Sequence, residues 1–234
     1  MRIAYLLVHS PLVGPASWAA VAGELRATGA TVAVPSLTGI GDGGPPFWPR
    51  VTEAVAAAVG ELPPEQPFAV VVHSSAGRFV PVIVRDLLER TRDVVGVVFV
   101  EAALPARDGP TSQATPERLA QLRGTAEAGL LPRWTDWWND ADGVARLFPD
   151  EATQRAVTDE QPRLPLSYYE HPVPNPPGWE PLTRGYIQFS PAYERVAADA
   201  AERGWYTVRL DGGHFHQTVD PTTVADAIAH LVSL

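Results

Sequence analysis

The 234-residue chain predicts an α/β fold, a mostly parallel sheet of about six strands with helices on both faces. Three observations carry this. Apolar, β-branched runs alternate along the chain with stretches of helical periodicity. Several of those runs are continuously apolar, as strands covered on both faces must be. With 45% hydrophobic and 19% charged residues, the composition is that of a globular chain long enough to bury a substantial core.

The elements follow in order. Ile3–Val8 reads as the first strand, and SWAAVAGELRATG as a helix closed by Gly29. Thr31–Val34 is a second strand, followed by the helical VTEAVAAAVGEL. Phe68–Val72 is a third, running through His-Ser-Ser-Ala-Gly into the helix FVPVIVRDLLER, and Val94–Val100 a fourth. After a long interruption, Tyr186–Phe189 leads into ERVAADAAERG, and Tyr206–Leu210 ends the sheet. Asp220-Pro221 then opens the last helix with a cap and a proline in its first turn. The interruption, Arg107–Glu180, is rich in proline and tryptophan and has no convincing strand. Helix starts are expected at Thr115-Pro116-Glu117, over Arg133–Trp138 and over Asp150–Thr158, with HPVPNPPGWEP extended. The expected division is a core of 1–106 and 181–234 with an inserted cap at 107–180.

The net charge of −9, without a Lys/Arg cluster, argues against nucleic-acid and anionic-membrane surfaces. Zero cysteines exclude disulfides, a cysteine nucleophile and thiolate metal sites. The apolar N-terminal run is too short for a membrane span and lacks a convincing cleavage site, so a cytoplasmic location is expected. A monomer or homodimer acting on a small molecule is expected, without cofactor or metal.

In an open parallel sheet, ligands bind beyond the carboxyl ends of the strands. Four distant features fall there: His9-Ser10-Pro11, His73-Ser74-Ser75, Glu101, and Asp211-Gly212-Gly213-His214. A serine hydroxyl becomes a useful nucleophile when an imidazole takes its proton and a carboxylate holds that imidazole's tautomer. A strand–turn–helix of small residues is the architecture that lifts such a serine out of a sheet.

On these motifs the sequence resembles the α/β-hydrolase superfamily over nearly its whole length. His9 with SPLVGPASW is similar to the loop after the oxyanion strand, VVHSSAG to the nucleophile elbow, and DGGHFHQTVDP to the catalytic-histidine loop. The size, the insertion after the fourth strand and GYIQFS before the last αβ unit resemble the compact cofactor-free branch. That branch holds carboxylesterases, plant methyl esterases and hydroxynitrile lyases; uncharacterised bacterial hydrolases with HSPLVGP-like segments resemble the chain more closely still.

The resemblance implies Ser74 as nucleophile, His214 as base and the Ser75 N–H as one oxyanion donor. Ser75 is the alternative nucleophile, because Gly77 follows it by two residues as in G-x-S-x-G. The second oxyanion donor falls near Pro11, which has no N–H, leaving Leu12 or the Ser10 hydroxyl to substitute. The family's usual acid position falls near Ala192, so Glu101, Glu194 or no acid at all remain open. His9 and Ser10 are expected beside the substrate, with Trp48, Trp134 and Trp138 as pocket walls. His214 and His216 form an H-x-H pair without a matched third ligand. Residues 39–44, GIGDGG, do not open a helix and are set aside as a dinucleotide loop. A serine hydrolase for an ester, thioester or lactone is the leading expectation. A lyase, cyclase or epimerase using His214 as base is the first rival, and a ligand-binding pseudoenzyme the second.

Overall fold

The computed structural model describes residues 3–138 and 141–234. Its six strands are β1 (Ala4–Val8), β2 (Val32–Ala33), β3 (Phe68–His73), β4 (Val94–Val100), β5 (Thr183–Gln188) and β6 (Tyr206–Arg209). They form one fully parallel sheet in the order β2-β1-β3-β4-β5-β6. The register aligns Leu6 with Val70, Val70 with Val97, and Val97 with Arg184.

Side chains alternate across a strand, so each apolar run feeds two cores. Leu6, Val8, Val70, Val72, Val97 and Phe99 face helices α2 (Trp48–Gly60) and α3 (Val80–Glu89). Leu7, Val71, Val98, Val100 and Ile187 face α1 (Ala19–Ala27) and α10 (Pro221–Val232), which follows the short α9 (His216–Val219). Helix α8 (Glu194–Glu202) joins the first side through Ala197 and Ala200. Asp220 caps α10 by accepting the Thr223 N–H at 3.1 Å.

Between β4 and β5 lie α4 (Pro116–Thr125), a 3-10 turn (Trp134–Trp137), α5 (Ala141–Ala145), α6 (Glu151–Asp159) and α7 (Ser167–Glu170). Thr115 and Asp150 cap α4 and α6. Leu122, Leu131, Leu164, Tyr168 and Trp179 of this stretch belong to the same buried cluster as β3 and β4. Glu160 also ties it to the loop after β1: its Oε2 accepts the Ala16 N–H at 2.7 Å, and a Cβ on Gly14 would overlap its side chain.

Two expectations need correction. Arg133–Trp138 does not form an α-helix, so Trp134 and Trp138 share no helical face. The 3-10 turn ends at Trp137 and Trp138 is extended, although the two rings still meet edge to face at 5.6 Å. β5 begins at Thr183, three residues before its apolar run, where Thr-Arg-Gly offers no periodic signal. Among the described residues, no helix is long and apolar enough to cross a membrane.

Candidate active site

Ser74 follows β3 directly and has φ +57°, in the left-handed region. A non-glycine residue pays about 1–3 kcal/mol there, and such strain concentrates at functional turns. The chain winds at once into a 3-10 helix, Ser74–Phe79, which leads into α3. The turn is pinned from beyond β4, where the Ala103 N–H donates to the Ser74 carbonyl at 2.9 Å. The Ala103 carbonyl oxygen lies so close to Gly77 that a Cβ there would overlap it. Gly77 is therefore glycine because another backbone passes over it.

Ser74 Oγ lies 3.0 Å from His214 Nε2. The Ser75 hydroxyl is engaged elsewhere, 2.8 Å from Ser10 Oγ. The Ser75 N–H stands in the first turn of the 3-10 helix, where amides lack intrahelical partners.

His214 is held from several sides. His73 Nε2 donates to its carbonyl at 2.9 Å, and the two rings lie 4.8 Å apart. Tyr193 stacks on it at 5.3 Å and 15°, and Trp134 covers it at 6.1 Å. Burial and the neighbouring His214 hold His73 well below the ordinary imidazole range. Burial raises the pKa of Tyr193, and the nearby Ser74 side chain works against that rise.

Glu101 follows β4, is fully buried and has φ +44°. Its carboxylate accepts the Phe189 N–H at 2.6 Å, the Ser190 N–H at 3.1 Å and the Ser190 hydroxyl. Oε1 lies 3.9 Å from His214 Nδ1, an ion-pair distance too long for a hydrogen bond. Catalytic hydrogen bonds are often loose before substrate binds. Glu194 is exposed on the first residue of α8, while Ala192 lines the cavity.

The cavity above Ser74 has a volume of about 570 Å³. Leu12, Trp134, Trp138, Val144 and Leu147 give it an apolar lining, and Gln113, Thr115, Arg78, Arg118 and Tyr169 a polar one. Trp137 adjoins the polar part, under Arg118 and near Tyr169.

Three expected substrate contacts fall elsewhere. His9 and Ser10 are buried and do not line the cavity. His9 Nδ1 donates to the Ser10 carbonyl at 2.8 Å, while Nε2 accepts the Leu37 N–H at 3.0 Å. Enclosed in this way it braces the loop, and burial lowers its pKa to about 4. Trp48 opens α2, packs against the core and is not among the cavity's lining residues. Leu12 does line the cavity, but its N–H points to Ser10 Oγ at 3.2 Å, because serine supplies an acceptor where the family usually has glycine. His216 packs edge-on against Phe189, and no metal-binding cluster occurs among the described residues.

The sequence assigns no role to Tyr193 or Arg78, and marks His73 only as the neighbour of Ser74 at a strand's end. Tyr193 ends the 3-10 turn Pro191–Tyr193 after β5. Arg78 had a usable signal, a cation four residues past Ser74, between the small residues of the turn and the apolar run at residues 79–84.

The model of the Alpha/beta hydrolase family matches residues 5–227, and the chain belongs to that family. Solved structures share the fold at low identity. An extracellular α/β-hydrolase from a Paenibacillus species, described as sharing structural and functional homology with tobacco salicylic acid binding protein 2, is 17% identical with a TM-score of 0.71, covering 98% of this chain and 99% of its own. A pyrethroid hydrolase from Sphingobium faniae is 20% identical with a TM-score of 0.67, covering 100% and 98%. Tomato methylketone synthase I, solved with 2-tridecanone, is 13% identical with a TM-score of 0.71, again covering 100% and 98%. No curated protein sequence matches the chain.

Proposed function

We propose that this protein is a cofactor-free serine hydrolase that cleaves an ester, thioester or lactone of a small, largely apolar molecule. The observation that carries the reading is the 3.0 Å approach of Ser74 Oγ to His214 Nε2 at a left-handed elbow. Ser74 Oγ attacks the carbonyl carbon as His214 Nε2 takes its proton, and the carbonyl π pair moves onto oxygen. The Ser75 N–H faces that oxyanion. Collapse breaks the bond to the leaving group, which takes the proton from His214. Water then repeats the sequence on the acyl-enzyme and frees Ser74. Glu101 orients His214 through Nδ1, and residues 107–180 act as a cap over the site.

A second reading has a specific observation in its favour. The Leu12 N–H is drawn to Ser10 Oγ, which leaves the oxyanion one donor short. Such a loss costs about 2.7–4 kcal/mol of transition-state stabilisation. It favours a lyase, cyclase or epimerase in which His214 acts as a base.

A fluorophosphonate probe followed by peptide mapping tests the nucleophile, and a panel of chromogenic acyl esters tests turnover. The expected result is an adduct on Ser74 together with ester hydrolysis. An adduct on Ser75 moves the nucleophile by one residue. Labelling without turnover favours the non-hydrolytic reading, and neither response overturns both.

A further inference from the structure

The protein carries nine net negative charges, yet among the described residues the cavity lining contains two arginines and no aspartate or glutamate. Arg78 is only partly exposed, and among the described residues it has no salt bridge or hydrogen bond. It shares the cavity lining with Tyr169 and Tyr193, and its charge lowers the pKa of Tyr168, Tyr169 and Tyr193 against the effect of their burial. A guanidinium withdrawn from water without an anion is costly, and buried arginine is nearly always paired. Arg118 lies over Trp137 at 4.9 Å, and among the described residues its guanidinium bonds the neutral Gln121 alone; its charge also acts on Tyr169. Gln113 is 3% exposed, lines the same space and has an amide oxygen without a hydrogen-bond partner among the described residues. A side-chain amide can turn to present nitrogen or oxygen to a ligand.

From these groups we infer that the substrate carries a carboxylate, bound by Arg78 with help from Arg118 and Gln113. This deepens the proposed hydrolase reading and rests on it. The planar guanidinium matches a carboxylate through two parallel N–H donors. Arg78 stands four residues beyond Ser74, about 8 Å along a 3-10 helix. The carboxylate therefore belongs at the far end of the substrate, with the apolar body against the tryptophans.

The test pairs ligands that differ in this one charge. On Ser74→Ala protein, monomethyl adipate is expected to bind at least ten times more tightly than dimethyl adipate, read by calorimetry. Arg78→Gln added to Ser74→Ala should erase that ratio, and Arg78→Lys should keep part of it. Should Arg78→Gln fail to fold, Arg118→Gln on the exposed side of α4 is expected to reduce the same ratio. In otherwise wild-type enzyme, kcat/KM for the 4-nitrophenyl monoester of adipic acid should exceed that for 4-nitrophenyl hexanoate at least tenfold. Equal binding of the two methyl esters overturns the carboxylate site, even if both nitrophenyl esters are hydrolysed. Selective binding of the monoester with no turnover of any ester keeps the carboxylate site and overturns the hydrolase reading.

Discussion

At the scale of single residues, the acid makes the sharpest claim. Among the described residues, every hydrogen bond to the Glu101 carboxylate comes from just beyond β5, through the Phe189 and Ser190 amides and the Ser190 hydroxyl. An amide in its place must turn its NH2 toward one of those donors or toward His214 Nδ1. Glu101→Gln is expected to lower kcat by about 10²–10⁴-fold, with KM within a few-fold, since the loss falls on imidazole orientation. Glu194→Gln should leave both constants near wild type, and steady-state kinetics showing the reverse pattern would move the acid. In the sequence Glu101 and Glu194 both remain candidates, and what marks Glu101 is its place at a strand's carboxyl end. The two serines also stay in competition there, because glycine spacing is a backbone statement. Gly77 is three residues past Ser74 to make room for the Ala103 carbonyl, a contact across 26 residues that no local pattern encodes.

At the scale of elements, the strands and capped helices were legible because burial on both faces writes continuous apolar runs, and Pro or Asp marks helix starts. The stretch between β4 and β5 was less so. Its tryptophans suggested an α-helix, but residues 134–137 form a 3-10 turn, and Trp48 at the start of α2 is partly buried against the core. Trp138 remains 54% exposed while lining the cavity and touching Trp134. Its apolar surface is available to a ligand and contributes little to folding. Trp138→Ala is expected to raise KM about tenfold for long acyl chains and under twofold for acetate, with the melting temperature nearly unchanged. Equal effects on every chain length, or a clear thermal loss, would make it a packing residue.

At the scale of the molecule, two enclosed imidazoles set an acid limit on the fold. His9 has its pKa lowered to about 4 and His73 well below its ordinary value, both chiefly by burial. Below about pH 6.5 the unfolded chain protonates these rings while the folded one does not. Their stabilisation is therefore complete above pH 6.5 and is lost as the pH falls toward 4. For His9 the full difference is about 3 kcal/mol, of which about 2 is gone at pH 5. A domain of this size should then melt roughly 4–8 °C lower at pH 5 than at pH 7 through His9 alone. In thermal melts against pH, His9→Gln should start less stable and slope less steeply. An unchanged slope would mean that His9 already titrates normally in the folded protein.

The position of Glu101 at the end of β4 also bears on how such a chain can vary. If Glu101 is the acid, nucleophile and acid both lie on the β3–α3–β4 unit, upstream of the whole 107–180 stretch. That stretch can then lengthen, shorten or be exchanged without altering the spacing between Ser74 and Glu101. What must survive any such exchange is the docking of β5 on β4, because the amides of Phe189 and Ser190 hold the carboxylate in place. Pocket shape and the reactive core thus sit on separately heritable pieces of one sheet, joined at the end of a single strand.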